Sequence, residues 1–271
     1  SAEIARIDLQ RLRLVEDPLV IGVCGHVDIS SDMKQTHYVS GLLGDLFIQD
    51  EKNTFHPEDI GVLLNTRADT TYLRAQSGDF IVKVDGSGDY EHIFKQMSIL
   101  ADSLKAQYDN RIIDQAAIKR LLPTLKLHIE SKRDNPIADL LHTSDIEFKE
   151  LMLDLATSPH TGVNGKSYIY SLNYDSIRID TIRLNFTQKG ERLTYQGQIC
   201  NNKKNPQFVF NALLDGHFHE HGALAGLRYF DKDNRMGVRI GATAKMQDEG
   251  ININLMPDRP TLGYKEIKLN K

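Results

Sequence analysis

The run Ile177-Arg178-Ile179-Asp180-Thr181-Ile182-Arg183-Leu184-Asn185-Phe186 decides the fold. Ile177 and Ile179, then Ile182, Leu184 and Phe186, alternate with polar neighbours, and the jump from 179 to 182 reads as a bulge. The same alternation continues through the stretch from Asn164 to Leu255. Leu193, Tyr195 and Ile199 form the next run, and Phe208, Phe210, Ala212, Leu214 and Phe218 share one register. Val238 with Ile240, then Ile251, Ile253 and Leu255, complete the series. A period of two predicts strands with one apolar face. Turn residues separate them: Gln188 to Glu191, Asn201 to Pro206, His221-Gly222, Asp231 to Asn234 and Asp248 to Gly250. About eight such strands, ~4.8 Å apart, predict a sheet roughly 40 Å across with one greasy side.

Outward from this stretch the pattern persists. Residues 1–16 lean towards strand, on the spacing of Ile7 with Leu9 and of Leu12 with Leu14. Val23 to Ile29, Tyr38 to Ile48, Val62 to Leu64 and Tyr72 to Ala75 read as further strands. Gly44-Asp45-Leu46-Phe47-Ile48 echoes Gly78-Asp79-Phe80-Ile81-Val82, as if a Gly-Asp turn fed an apolar strand in two copies of one β unit. Residues 88–142 break the pattern. Tyr90, Ile93, Phe94, Met97, Leu100, Leu104 and Tyr108 form a helical stripe behind an N-cap at Asp89. A short helix is expected from Asp114 to Pro123, a strand at Leu125 to Ile129, and a third helix from Asn135-Pro136 to Leu141. The long stripe is expected to pack on the sheet; a lid over its apolar face, or a contact with a neighbouring segment, are the other uses for it. The organisation predicted is a β-rich repeat unit over 1–87, a helical insert over 88–142 and a β-rich groove-forming segment over 143–271. The fold class is mainly β with a helical insert: a long curved antiparallel sheet, open rather than closed into a barrel.

With 40% hydrophobic and 26% charged residues, the 271-residue chain has the composition of a folded protein. A net charge of −4 offers no basic footprint for nucleic acid. Trp is absent, which disfavours the indole platforms common in sugar binding. The chain begins at Ser1 without Met and ends in a strand-like run, Ile267 to Leu269, so an internal piece of a longer protein is expected. Cys24 and Cys200 form neither a disulfide framework nor a metal cluster and are expected as free thiols.

Several phrases carry a family signal: Gly78-Asp79-Phe80, Asn135-Pro136-Ile137-Ala138, Gly162-Val163-Asn164-Gly165, Asp180-Thr181-Ile182-Arg183-Leu184, Asn205-Pro206-Gln207-Phe208-Val209-Phe210 and Pro260-Thr261-Leu262-Gly263-Tyr264. Their order and spacing resemble the large TamB/AsmA-type proteins of Bacteroidetes. The resemblance implies a periplasmic protein anchored to the inner membrane, built of repeated β units around an apolar groove. It further implies a role in outer-membrane biogenesis, as a phospholipid bridge or in assembly of outer-membrane proteins. An outer-membrane partner of the BamA/TamA type would then be met through regions outside this chain.

The groove-lining candidates are Ile182, Leu184, Phe186, Leu193, Tyr195, Phe208, Phe210 and Leu214, with Arg183, Asn185, Gln196, Asn211 and His219 facing water. The expected ligand is phospholipid or another acyl chain. No cofactor or metal is expected. His217, His219 and His221 share a strand face as zinc ligands do, but their register places them opposite Phe208 to Phe218. Asp231 to Asn234 lacks the glycine and terminal glutamate of a calcium loop. No nucleophile elbow and no paired carboxylates point to catalysis, so the chain is read as a non-enzyme. The alternative is a surface β-sandwich module that binds protein or glycan; a metal hydrolase on the His217 face ranks last.

Overall fold

The computed structural model describes residues 2–8, 10–11, 18–49, 54–56, 58–142, 145–247, 250–256 and 259–267. Among them nineteen strands form a single antiparallel sheet. The first seven are β1 (Ala2–Asp8), β2 (Val20–Ser31), β3 (His37–Gln49), β4 (Thr54–Phe55), β5 (Ile60–Thr66), β6 (Thr70–Ser77) and β7 (Phe80–Ser87). Helices α1 (Tyr90–Asp109) and α2 (Gln115–Leu121) follow, then β8 (Leu125–Ser131), α3 (Pro136–His142), β9 (Ile146–Glu147), β10 (Glu150–Ser158) and β11 (Gly162–Tyr174). The rest is strand: β12 (Ile177–Lys189), β13 (Arg192–Asn201), β14 (Phe210–His219), β15 (Gly222–Phe230), β16 (Met236–Gln247), β17 (Gly250–Leu255), β18 (Thr261–Leu262) and β19 (Lys265–Glu266).

The ladder is a meander. β1, β2, β3, β5, β6, β7, β8 and β10 pair in that order, and β10 leads through β11 to β17 by consecutive hairpins. The four shortest strands are appended to β3, β11, β16 and β18. Among the described residues no ladder joins β1 to β17, so the sheet does not close. Fifteen strands at ~4.8 Å extend roughly 65 Å. The helical insert leaves the ladder at Ser87 and returns at Leu125, so β7 and β8 still pair. One sheet therefore runs through all three of the expected parts.

Two details differ from the sequence reading. The strand over 177–189 has no inserted residue: Tyr170 pairs with Thr181 and Leu172 with Ile179 at one offset. The irregularity is on the facing strand, where Ser171 is left-handed (φ 53). The Gly-Asp echo is also not a repeat. Gly44-Asp45 lies inside β3, with Asp45 left-handed (φ 48) at a bulge where the register to β2 slips. Gly78-Asp79 is a true turn between β6 and β7, with Gly78 the left-handed residue (φ 56) and Asp134 O where its Cβ would be. The expected turn at 248–250 and the last strand at 267–269 fall largely outside the described residues.

The sheet is a single layer. The buried hydrophobic residues among those described are Leu46, Leu100, Leu122 and Phe148. The accessible surface is 17953 Å², whereas a compact monomer of 30.7 kDa exposes about 12,000 Å². The excess follows from an apolar face that, among the described residues, no second sheet covers.

Local chemistry sets the helices. Asp89 accepts from His92 N and Asp114 from Ala117 N, capping α1 and α2. The start of α1 is tied to the sheet edge by hydroxyls: Tyr90 N donates to Thr66 Oγ1, and Thr71 Oγ1 donates to Gly88 O. Thr71 has one proton, so Thr66 supplies the hydrogen in the 2.8 Å bond between them. Gly86 lets α1 approach, because a Cβ there would come within 2.5 Å of Ile93 Cδ1.

The α1 stripe does not pack as expected. Leu100 is buried, but Phe94, Met97, Leu104 and Tyr108 are exposed at 71%, 44%, 44% and 76%. The face turned to the protein instead carries Ile93, Gln96, Leu100, Ser103 and Gln107. Leu100→Asp is therefore expected to destabilise by about 3 kcal/mol or more, because it buries a charge without a partner. Met97→Asp is expected to change stability by less than about 1 kcal/mol. Urea unfolding of the two variants checks both; equal losses would contradict this packing.

Candidate functional site: the inner face of the sheet

Cross-strand partners share a face, so the ladder registers define what each side of the sheet carries. One row crosses thirteen strands: Val27, Gly41, Val62, Ala75, Val82, Ile129, Leu153, Ser167, Leu184, Gly197, Leu214, Leu227 and Ile240. It contains no charge. The adjacent row on the other face reads Asp28, Ser40, Leu63, Arg74, Lys83, His128, Asp154, Lys166, Asn185, Gln196, Asp215, Gly226 and Gly241. Its polar members pair with one another or with the next row on the same face: His128 Nδ1 with Asp154 at 2.7 Å, Lys166 with Asp154 at 3.5 Å, and Asp215 with Arg228 of the next row at 3.0 Å. The His128 and Lys166 partners outweigh burial and hold the Asp154 carboxyl below its usual range, with the His128 hydrogen bond the largest cause. A charge-free row on the inner face and a salt-linked row on the outer face thus run across the sheet.

Seven of the eight groove candidates lie on the inner face. Ile182 stands opposite Ile199, Leu184 opposite Gly197, and Phe186 opposite Tyr195. Leu193 faces Gln188, Leu214 faces Leu227, and Phe210 faces Asn201. Phe208 is the exception. It precedes β14 and belongs to no ladder, though its ring lies 5.4 Å from Phe210, which in turn stacks on Tyr229 at 5.9 Å. These three rings line one lip. Tyr195 and Phe218, 5.7 Å apart, mark the other. Tyr195 stays on the apolar face because its hydroxyl donates to Leu224 O at 2.9 Å. Burial, with the Asp215 charge adding, pushes its phenol upward. Ile199 and Leu214 remain 41% and 38% exposed, as expected of a wall without a second layer.

The sheet curls about this face. Val163 of β11, Leu193 of β13, Phe218 of β14 and Met246 of β16 line one cavity of 480 Å³ with α1 and α2. In a flat sheet β11 and β16 would be about 24 Å apart. The helices are pinned along this lip to two hairpins. Gln115 Nε2 donates to Phe218 O, and Gln115 Oε1 accepts from Leu193 N at 2.7 Å. Ile113 N donates to Glu220 O, and Lys119 Nζ donates to Gly190 O. Gln115 and Lys119 were not singled out from sequence. The signal available was only that both sit on a short helix whose cap was legible.

Of the residues expected to face water, Arg183, Asn185, Gln196 and Asn211 lie on the outer face by register. His219 departs from expectation: its Nε2 is buried without a hydrogen-bond partner, and its Nδ1 accepts from His221 N at 3.3 Å. His217 pairs with Thr194 and Leu224, on the outer face. Burial, and then the Arg192 and His219 charges, lower its pKa. Among the described residues no group of three or more His, Cys, Asp or Glu is placed to hold a metal ion, and no helix is long and apolar enough to cross a membrane. Cys24 and Cys200 are free. Asp231 forms a turn, accepting from Asp233 N and Arg235 N, which hold its carboxyl at about 2.

The fold and face define a class: an open, single-layer antiparallel sheet with an uncovered apolar trough. Comparison with protein-family models, with curated proteins and with solved structures finds no match.

Proposed function

We propose that the inner face is a conduit for acyl chains, and that the chain is a non-enzymatic segment of an envelope-biogenesis protein of the TamB/AsmA type that conducts phospholipid or assists assembly of outer-membrane proteins. The observation that supports this reading is the charge-free row across thirteen strands. A packed core would be equally free of charge, but it would be covered, whereas Leu214, Ile199 and Leu227 on this face stay about 40% exposed. Each methylene moved from water to such a wall gains about 0.8 kcal/mol, so a single charge would interrupt the path. The periplasm, an inner-membrane anchor elsewhere in the protein and an outer-membrane partner belong to the same proposal; they rest on the resemblance of the phrases quoted above. The second expectation, a β-sandwich, has no second sheet among the described residues.

A photo-crosslinking amino acid at Phe210 is expected to capture phospholipid in cells, and one at Asn211 is not. Adjacent residues on opposite faces control for expression and local structure. Equal capture at both positions, or none at either while the protein stays folded, would reject the conduit.

A further inference from the structure

The cavity between α1, α2 and the inner face differs from the rest of the trough in being roofed. Leu104, Ile118, Leu122, Val163, Leu193 and Phe218 are among the apolar residues of its wall. Its polar neighbours are turned to other partners. Gln107 Oε1 accepts from Asp114 N at 2.7 Å, and both ends of the Gln115 amide bond backbone groups of the two hairpins. The other polar members of the wall are Gln188, whose Nε2 donates to Gly190 O at 3.5 Å, and Tyr108, which is 76% exposed. Lys119 is the one charged residue lining the cavity. Its ammonium makes one bond at 3.0 Å, to Gly190 O, and has two further donors. A largely apolar, half-open chamber with one cation suits a ligand with one hydrocarbon tail and an anionic head. At roughly 30 Å³ per water-sized group, 480 Å³ accommodates on the order of fifteen such groups, the scale of one long acyl chain rather than two.

We infer that this cavity is a binding site for a single-chain anionic amphiphile of the long-chain fatty-acid class, with its tail under α1–α2 and its carboxylate at Lys119. The inference rests on the inner face being a hydrocarbon surface, and it adds a partly covered seat on one lip. The exposed Phe94, Met97, Leu104 and Tyr108 stripe of α1 leads to this chamber, since Leu104 and Tyr108 are part of its wall.

The test uses the purified chain, titrated with saturated fatty acids of increasing length and with their methyl esters, and read by calorimetry and native mass spectrometry. Affinity is expected to rise about fourfold per methylene, the equivalent of ~0.8 kcal/mol, and to level off once the chamber is full. Ile118→Trp, which fills the chamber, is expected to weaken binding of the longest acid by more than about tenfold. Lys119→Gln is expected to weaken the acids severalfold and leave the esters unchanged. A monotonic rise with length that ignores Ile118→Trp would overturn the inference, as would no binding at all. If Ile118→Trp does not fold, the length series and the acid–ester difference in Lys119→Gln still decide. Phospholipid capture at Phe210 without fatty-acid binding would remove this seat and leave the conduit standing; loss of both would remove both.

Discussion

Arginine at Leu184 or Leu214 is expected to strip the protein of lipid. Both positions lie in the charge-free row, opposite Gly197, where no neighbouring side chain can neutralise a guanidinium. A charge held against hydrocarbon costs about 3 kcal/mol on membrane-insertion scales, so lipid retention should fall on the order of a hundredfold. The fold should survive, because Leu214 is already 38% exposed and the arginine can reach out of the open trough. Asn185→Arg, one residue along on the outer face between Lys166 and Gln196, is the control and should retain lipid. Lipid recovered per mole of purified protein measures the effect, and a thermal melt of each variant separates it from unfolding. Retention of lipid by Leu184→Arg and Leu214→Arg alike would mean that the inner face carries none.

A second expected loss of stability lies at the opposite lip. Asp79 accepts from the backbone N–H groups of Lys132, Arg133 and Asp134 and from Asn135 Nδ2. Asn135, 1% exposed, presents its Oδ1 to Ile137 N and Ala138 N and so caps α3. One carboxylate thus organises the return from β8 and the start of the next helix. Asp79→Ala would remove the acceptor of the buried Asn135 amide and of three backbone N–H groups that water can reach, and should cost about 1–3 kcal/mol, whereas Asp79→Asn keeps part of the set and should cost less. Burial pushes the Asp79 carboxyl upward, but the bonds from Asn135 and the three backbone groups outweigh it, and its pKa is lowered. A lowered folded-state pKa contributes stability that is present above the unfolded value of ~3.9 and is lost as pH falls through the folded one. The stability advantage of wild type over Asp79→Asn should therefore shrink below pH ~4. Denaturant melts at pH 7 and at stepwise lower pH measure both effects; an Asp79→Ala protein as stable as wild type would show the cluster to be incidental.

Two of the phrases that carried the family resemblance, Gly78-Asp79-Phe80 and Asn135-Pro136-Ile137-Ala138, meet in this cluster, so their spacing answers to a structural need in this chain. Strand positions were legible because period-two alternation is a local property, and the helix starts because a cap is a local bond. Asp89, Asp114 and Asn135 were each read at the correct end of a helix. What was not legible depends on distant neighbours. The α1 stripe has the spacing of a packed face, but whether Met97 or Leu100 meets the sheet is set by how far the sheet curls. The Gly-Asp dipeptide misled because a bulge and a turn both need one left-handed residue; at 44–45 it is the aspartate, at 78–79 the glycine. Phe208 continued the β14 alternation in sequence, yet the backbone before Phe210 follows the Asn205 side chain, whose Oδ1 accepts from Gln207 N. The partly covered cavity under α2 had no sequence signature, since it arises where Gln115 joins hairpins 78 and 103 residues away.

The meandering ladder has a consequence for how such a molecule grows and fails. Its main strands pair with the next main strand along the chain, so contacts pass between nearest neighbours as in a solenoid. Synthesis can therefore lay the sheet down in order, each new hairpin templated on the edge left by the last, with little loop-closure entropy to overcome except at the α1–α2 excursion. Duplication of one hairpin would lengthen the trough by about 10 Å and leave its cross-section unchanged. Away from the bonds that Ile113, Gln115 and Lys119 make to two distant hairpins, the same arrangement gives little remote support: a break at one ladder divides the sheet into two shorter troughs, each with a raw edge.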